Sequence, residues 1–319
     1  AILNWSQFNI GRDARVQFVQ PDASSVAYNK ILQADPSQIF GQLDANGHLY
    51  LVNPNGFIFG DGARVNSKAF MAATLGLTEN AFEQGLLTVI NEELPALQRG
   101  AGFEELAAAV SEQVPEGMEL ISVLPGAQIS TVEADGTERF GGWIMLIGSA
   151  VKNAGAVEAP GGQVVMAASR DRVYLAELGD AEANRLFGML VEVDVGDAPL
   201  EVQQALAAQG TALGEVTNAS SGVIETTRGN TTLMGLAVNQ SGIIRATTAV
   251  NIGGSIRLVA REAQGTGSDD KPDFLQLDGT NNVAVPNHFG EVTVAEGSVT
   301  EVLPDLGDAD LATDAETQI

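Results

Sequence analysis

The chain has 319 residues, of which 45% are hydrophobic and 18% charged, and none is cysteine. This composition predicts a folded protein with a sizeable core, and it excludes disulfides, thiolate metal sites and cysteine nucleophiles. The net charge of −25 argues against nucleic acid and anionic membrane surfaces, because both are bound through clustered Lys and Arg.

The first eighty residues read as short strands separated by turn residues. The predicted strands are Ile2–Ile10, Ala14–Val19, Gln38–Leu43, His48–Asn53 and Phe57–Phe59. Asn46-Gly47 and Asn55-Gly56 are turn signals of the kind that needs positive φ. No stretch approaches the ~20 apolar residues of a membrane span, so we expect no stable membrane insertion. The start lacks signal-peptide features, and we expect the residues upstream of Ala1 to have been removed, either by processing or by the choice of this sequence's boundaries.

A looser unit recurs further along, starting at Val151, Val216 and Ala237. Asn218 and Asn239 are 21 residues apart, and Asn153 and Asn218 are 65 apart, close to three times that spacing. A period near twenty with several short strands per unit predicts a right-handed parallel β-helix. Its coils stack ~4.8 Å apart, and we expect about ten to twelve of them. The three asparagines should lie at corresponding corners, and the interior should hold Val164, Met166, Ile243 and Ile256.

Two segments with helical spacing interrupt this pattern, Gly100–Gln113 and Leu200–Gln209. We interpret both as short helices in insertions. From Glu301 the chain is acidic and poor in apolar residues. The predicted organisation is therefore a β-helical domain over residues 1–300 and an acidic linker over 301–319 that leads to a downstream region.

Motifs for enzymatic chemistry are weak in this sequence. The two histidines, His48 and His288, have no neighbours at metal-ligand spacing. No nucleophile-elbow or phosphate-loop pattern occurs. Polysaccharide-cleaving β-helices use paired acids, but Asp171, beside Arg170 and Arg172, has no repeated acid at coil spacing. The sequence predicts no catalytic residue, no cofactor and no metal site, and we expect no enzyme.

One segment is much more specific than the rest. In order it carries NWSQFNIG from Asn4, PSQIFGQL from Pro36, ANG from Ala45, NPNG from Asn53 and ATL ending at Leu75. This order resembles the secretion domain of the two-partner secretion exoproteins, the family of filamentous haemagglutinins, large adhesins and haemolysins. The resemblance is strong from Asn4 to Leu77 and looser to about Glu301. Departures are Phe57 where the family usually has Ile, a longer segment from Gln84 to Val123, and missing residues before the N-W motif.

The resemblance implies a secretion signal within a larger exoprotein. Its partner would be an outer-membrane β-barrel transporter with periplasmic POTRA-type domains in a Gram-negative bacterium. The chain would cross the periplasm, nucleate β-helix folding outside, and end secreted or at the cell surface. A host or neighbour-cell receptor would bind downstream regions. The implied secretion motif comprises Asn4, Trp5, Phe8, Asn9, Asn53, Pro54, Asn55 and Gly56.

Two questions stay open at this point. Residues Asn53 to Gly56 either build a rigid corner or contact the transporter directly, and we favour the corner. The rod could instead be an adhesin module that binds a ligand itself, or a polysaccharide-active enzyme. An exposed aromatic-rich patch would favour the adhesin, and a groove with paired carboxylates would favour the enzyme.

Overall fold

The computed structural model describes residues 1–84, 86, 95–103, 118–132, 141–176, 188–248, 253–262 and 288–305. Its strands form three long sheets, named here A, B and C, and a smaller sheet D. Sheet A contains β1 (Ile2–Trp5), β3 (Val26–Ile31), β6 (His48–Val52), β9 (Ala69–Ala73), β14 (Trp143–Gly148), β17 (Gln163–Ala168), β22 (Asn230–Gly235), β25 (Ser255–Glu262) and β26 (His288–Phe289). Sheet B contains β4 (Ser37–Ile39), β7 (Gly56–Phe59), β12 (Leu120–Val123), β15 (Ala150–Asn153), β20 (Glu215–Asn218), β23 (Ala237–Gln240) and β27 (Glu291–Val294). Sheet C contains β2 (Arg15–Phe18), β5 (Gln42–Ala45), β8 (Arg64–Asn66), β13 (Gln128–Ser130), β16 (Ala156–Glu158), β21 (Val223–Thr226), β24 (Ile243–Thr248) and β28 (Val299–Pro304).

The chain visits sheets A, B and C in turn, and each strand lies parallel to the strand of the same sheet in the next coil. Leu49 of β6, for example, lies beside Phe70 of β9, and Phe57 of β7 lies beside Ile121 of β12. Only β26, at the edge of sheet A, pairs antiparallel within these three sheets. The prediction of an all-β parallel β-helix is confirmed. Sheet C has 8 strands, one per coil, so the described residues hold fewer coils than the expected ten to twelve.

Two insertions interrupt the coils in the described residues, and both leave the β-helix where sheet A passes to sheet B. The first lies between β9 and β12 and contains β10 (Gly76–Leu77), α1 (Glu79–Gln84) and β11 (Leu97–Gln98). The second lies between β17 and β20 and contains β18 (Arg172–Ala176), β19 (Leu190–Asp194) and α2 (Leu200–Ala208). Strand β11 pairs antiparallel with β18, so strands from both insertions form sheet D.

The two helix predictions have different outcomes. Helix α2 confirms the prediction for Leu200–Gln209. Of the predicted helix Gly100–Gln113, residues 100–103 form turns. The remainder of that prediction lies outside the described residues.

The protein has two main hydrophobic cores, one on each side of sheet A. Leu49 and Leu51 point into the β-helix and belong to the interior core. Their neighbours Tyr50 and Val52 belong to a second core that includes Val193 of sheet D. Because both faces of sheet A are buried, its strands read as continuous apolar runs such as WIMLIG in β14.

A buried ion pair joins the two insertions at their base. The Glu119 carboxylate, just before β12, lies 3.0 Å from Nε of Arg170 and 3.5 Å from Nη2 of Arg99. It also accepts a hydrogen bond from the Ser149 hydroxyl. Arg170 in turn donates to the main-chain oxygen of Asp197 at 2.7 Å. Glu119 and Arg170 are both buried, so removing either one disrupts a charged network that is shielded from water.

Three buried amides stack at the corner between sheets B and C. Asn153 donates to Asn218 at 2.9 Å, and Asn218 donates to Gln240 at 2.8 Å. The prediction that Asn239 is the third member is wrong. Asn239 lies beside Thr217 in the paired strands, and its side-chain amide donates to the Glu215 carboxylate. Asn153 and Asn218 lie side by side in adjacent coils. Their 65-residue separation therefore contains one coil and the second insertion, and not three coils.

The predicted interior residues are mostly confirmed. Val164 and Met166 belong to the interior core, and Ile256 packs against it. Ile243 is the exception, because it is half-buried while Ile244 is fully buried in the interior. A shift of one residue exchanges the two faces of a strand, and the repeat alone does not fix that register.

The last described coil extends to Pro304, past the predicted domain boundary at residue 300. Strand β28 runs to Pro304 and pairs with β24, so part of the predicted linker 301–319 is paired strand. Residues 306–319 lie outside the described part. Among the described residues, no helix combines the length and apolar character needed to cross a membrane.

Candidate functional site

The predicted turn from Asn53 to Gly56 lies where the third coil passes from sheet A to sheet B. The Gly56 amide donates to the Asn53 main-chain oxygen at 2.9 Å, and the Asn55 amide donates to Asn53 Oδ1 at 2.9 Å. Gly56 has a φ of +99°, which confirms the need for glycine predicted from Asn55-Gly56. A Cβ at this position would overlap the main-chain oxygen of Leu120. Pro54 fixes φ at the second position of the turn.

The other predicted turn glycine serves a different purpose. Gly47 is absent from the glycines with positive φ, so that part of the prediction is wrong. A Cβ on Gly47 would lie 2.6 Å from the main-chain oxygen of Ser25 in the neighbouring coil. Glycine is needed there because two backbones approach closely.

The asparagine side chains of the turn reach back to the second coil. Asn53 Nδ2 donates to the Asp35 main-chain oxygen at 3.2 Å and to Ser37 Oγ at 3.0 Å. Asn55 Nδ2 donates to the Gln33 main-chain oxygen at 2.7 Å. Asn53 is 0% exposed and Asn55 1%. These side chains therefore hold residues 33–37 in place and are inaccessible to an outside partner.

The same network continues into the first coil. Gln33 Oε1 accepts from the Phe8 amide at 2.9 Å, and Gln33 Nε2 donates to Asn9 Oδ1 at 3.4 Å. Asn9 Oδ1 also accepts from the Gln38 amide at 2.8 Å. Asn9, Gln33 and Asn55 thus link the first, second and third coils at one corner.

The apolar residues of the N-W motif fill the start of the interior. Phe8 is buried in the interior core, and Trp5 packs against it edge-to-face with 5.3 Å between ring centroids. Trp5 Nε1 donates to Asn29 Oδ1 at 2.9 Å. Asn4 is exposed and makes no side-chain hydrogen bond among the described residues. The structure therefore leaves Asn4 outside the network that gathers Asn9, Asn53 and Asn55.

The sequence interpretation missed the second-coil residues of this network. Gln33 makes hydrogen bonds through its side-chain oxygen, its side-chain nitrogen and its main-chain oxygen, and Ser37 is 0% exposed. Gln33 stands 24 residues after Asn9 and 22 before Asn55. That spacing is close to the coil period and was the available signal.

A concave space opens beside the network, and we call it the N-terminal cleft. It is lined by Ser6, Gln7 and Asn9 of the first coil and by six residues of the second, between Leu32 and Gln38. Its volume is about 380 Å³, and none of its lining residues is basic or aromatic. The side chains of Ser6, Gln7, Asp35 and Gln38 are exposed.

The residues considered for catalysis do not converge on a site. Asp171 pairs with Arg172 at 3.7 Å, whereas Arg170 pairs with Glu119. Burial raises the pKa of Asp194, and the Asp171 charge acts in the same direction. Within the ranges that the structure describes, no three His, Asp or Glu side chains are grouped to hold a metal.

The two histidines lie on different strands, His48 on β6 and His288 on β26. His48 packs beside the rings of Tyr50 and Trp143, with centroid distances of 6.3 and 6.0 Å. Burial lowers the pKa of His48, and Lys68 adds a repulsion in the same direction. His288 begins β26, and its side chain lies outside the described residues. His48 is thus one member of an aromatic cluster on sheet A.

Comparison with known proteins gives three findings. A family model described as the TPS secretion domain matches residues 1–186. Two heme/hemopexin-binding proteins of Haemophilus influenzae are 47% identical over 83 residues and 44% identical over 77, which is 26% and 24% of this chain. These matches span only 9% and 8% of those proteins. The crystal structure of the HMW1 secretion domain from Haemophilus influenzae aligns with 93% of this chain and 76% of its own, at 20% identity and a TM-score of 0.46.

Proposed function

We propose that this chain, which belongs to the TPS secretion domain family, is the element by which an outer-membrane β-barrel transporter recognises and exports a larger protein. The observation that carries the proposal is the match of the TPS secretion domain over residues 1–186. That stretch contains all eight residues of the predicted secretion motif. It also contains the hydrogen-bonded corner that links the first three coils.

The burial of the turn supports a structural role for Asn53 and Asn55 in recognition. Both side chains donate to main-chain or side-chain groups of the second coil, and neither reaches the surface. Asn53 and Asn55 would therefore act by building the corner on which the β-helix nucleates, and the transporter would contact other groups of the chain. Its recognition surface would be periplasmic domains of the POTRA type.

The architecture also supports a physical account of export. The chain has no cysteine, so no disulfide has to be broken when it crosses a pore unfolded. Outside the cell, each new coil would bury apolar side chains against the previous coil and pair its strands in parallel. Folding in that direction would oppose backward movement and draw the chain out without nucleotide hydrolysis. The exported protein would end secreted or attached to the cell surface.

The names of the two Haemophilus influenzae relatives refer to binding of heme and hemopexin. The similar stretch covers at most 9% of those proteins. The whole chain is assigned to export, so the proposal includes no heme or hemopexin site in it. Ligand binding by the exported protein would reside in its other regions.

An export assay tests the proposal. The chain is fused behind a signal peptide and expressed with its cognate barrel, with an unrelated barrel, or with none. Release into the medium should require the cognate barrel, and the chain should otherwise stay in the periplasm. The variant Gly56→Val serves as a folding control and should fail in every strain, because the residue is strained at φ +99°. Equal release of the parent chain from all three strains would contradict the proposal.

A further inference from the structure

We propose that the two insertions form a latch. The contact between them closes strands β9 to β20 into a single folding unit, which is complete only when the chain is available to about Asp197. A uniform solenoid folds one coil after another, because each repeat contacts only its neighbours. In this chain the first insertion is completed only by the second. The consequence of the latch for export rests on the proposed function.

The first insertion obtains a strand partner from the second. Strand β11 has two residues and lies between β10 and β18 in sheet D. The Ala96 amide donates to the Val173 main-chain oxygen at 2.9 Å, and the Arg99 amide donates to the Asp171 main-chain oxygen at 2.9 Å. Without β18, strand β11 would keep only its two-residue pairing with β10 among the described strands. An isolated pair of strands is marginally stable at best in water, so β11 is stable only after β18 has been added.

The buried charges at the base of the insertions impose the same order. Glu119 closes the first insertion and Arg170 opens the second; they are 6% and 7% exposed, and the carboxylate lies 3.0 Å from Nε. A carboxylate loses its hydration on burial, and an opposite charge at this distance offsets that loss. Arg99 of the first insertion lies 3.5 Å away, but its side chain is 37% exposed and offsets less. Until Arg170 is in place, water is therefore the more favourable environment for the Glu119 carboxylate.

The main chain at Glu119 also opposes early closure. Glu119 has a φ of +53°, in the left-handed region that is unfavourable for residues with a Cβ. Such a conformation persists only where its surroundings fix it. The Ser149 amide donates to the Glu119 main-chain oxygen at 2.9 Å, and the Ser149 hydroxyl donates to the carboxylate. Because Ser149 follows β14, the entry to β12 becomes fixed only after later strands have been added.

The apolar burial on the outer face of sheet A needs both insertions. Five side chains that are 0% exposed belong to one core there: Met71 of β9, Met145 of β14, Leu97 of the first insertion, and Val173 and Val193 of the second. This core cannot be completed until β18 and β19 have been added. The burial of apolar surface therefore stabilises the complete unit rather than its single coils.

In export, the latch would determine how much chain has to emerge before folding opposes its return. Coils at the N-terminal end would form first, on the corner built by Asn53 and Asn55. Once the chain has emerged to about Asp197, the unit would close and block backward movement through the pore. The coils after β20 would then be added one at a time.

Hydrogen exchange of the folded 319-residue chain, followed by mass spectrometry in low concentrations of urea, tests the latch. Peptides that cover β9, β12 and β18 should open with a common equilibrium constant and a common urea dependence. Peptides that cover β27 and β28, in the last described coil, should open separately and more easily. Different urea dependences for β12 and β18 would overturn the proposal.

Two variants provide a matched comparison. Glu119→Gln removes a charge at the latch, and Arg228→Gln removes a charge from the Arg228–Asp305 ion pair in the later coils. Both residues have a φ of +53°, so neither change alters the backbone requirement. Glu119→Gln should speed exchange roughly tenfold or more, by the same factor in the β12 and β18 peptides, and Arg228→Gln should leave both unchanged. Faster exchange in only one of these peptides, or equal effects of the two variants, would overturn the proposal. If Glu119→Gln does not fold, Arg99→Gln is judged by the same criterion.

Pulse-chase export with the cognate barrel separates the latch from the proposed function. Glu119→Gln should be released roughly tenfold or more slowly than the parent, and Arg228→Gln at the parent's rate. Release of Glu119→Gln at the parent's rate would overturn the proposal and leave the proposed function intact. A parent chain that the cognate barrel does not release would contradict the proposed function, while the exchange result would still decide whether the latch exists.

Discussion

The turn from Asn53 to Gly56 allows a prediction with magnitudes taken from the structure. Asn53→Ala removes two donated bonds, to Asp35 and Ser37, and one bond accepted from Asn55. Asn55→Ala removes one, to Gln33, because its Oδ1 has no hydrogen-bond partner among the described residues. Leaving a buried polar group unpaired costs about 1–3 kcal/mol. We expect a loss in unfolding free energy of about 3 kcal/mol or more for Asn53→Ala and about 1–2 kcal/mol for Asn55→Ala.

Urea denaturation followed by circular dichroism measures these losses, and fluorescence of the two tryptophans provides a second probe. Asn4→Ala is the matched control, because Asn4 is exposed and such changes alter stability by within about 0.5 kcal/mol. Gly56→Ala should cost at least as much as Asn53→Ala, since it combines positive φ with overlap on Leu120. The reasoning is refuted if Asn55→Ala costs more than Asn53→Ala, or if all three asparagine variants are equivalent.

Two further predictions concern buried charges. Glu119→Gln and Arg170→Met should each lower the unfolding free energy by about 3–5 kcal/mol. The double variant should lose less than the sum of the two single losses. If the double variant loses the full sum, the two residues are not coupled. Burial raises the pKa of Glu192 above 4.5 despite the opposing hydrogen bond from Arg261, so its contribution to stability is fully present below pH 4.5 and is lost as the pH rises through the raised value. The stability of the parent minus that of Glu192→Gln should therefore fall as the pH rises above 4.5 in thermal melts, and a constant difference would contradict this assignment.

Several features of the site could be predicted from the sequence because they depend on local chemistry. Asn-Gly after a proline indicates a turn wherever it occurs, and Gly56 has the positive φ that it predicts. The burial of Asn53 and Asn55 could be favoured but not established, because their partners lie 16 to 22 residues earlier in the chain. Gln33 was missed for the same reason, since its role becomes visible only when the first three coils are stacked.

The sequence by itself determined the β-helical architecture, because alternating strands, Gly-marked turns and a period near twenty residues have few other solutions. An ordered set of short patterns also predicted a secretion motif, which stays a prediction. Register and the role of the insertions were decided only by the tertiary structure. Gln240, and not Asn239, completes the buried amide stack with Asn218, because pairing with the neighbouring coil selects which of two adjacent residues faces inward. The two insertions form one sheet through the pairing of Leu97 with Val173, and a contact between residues so far apart in the chain has no local signal.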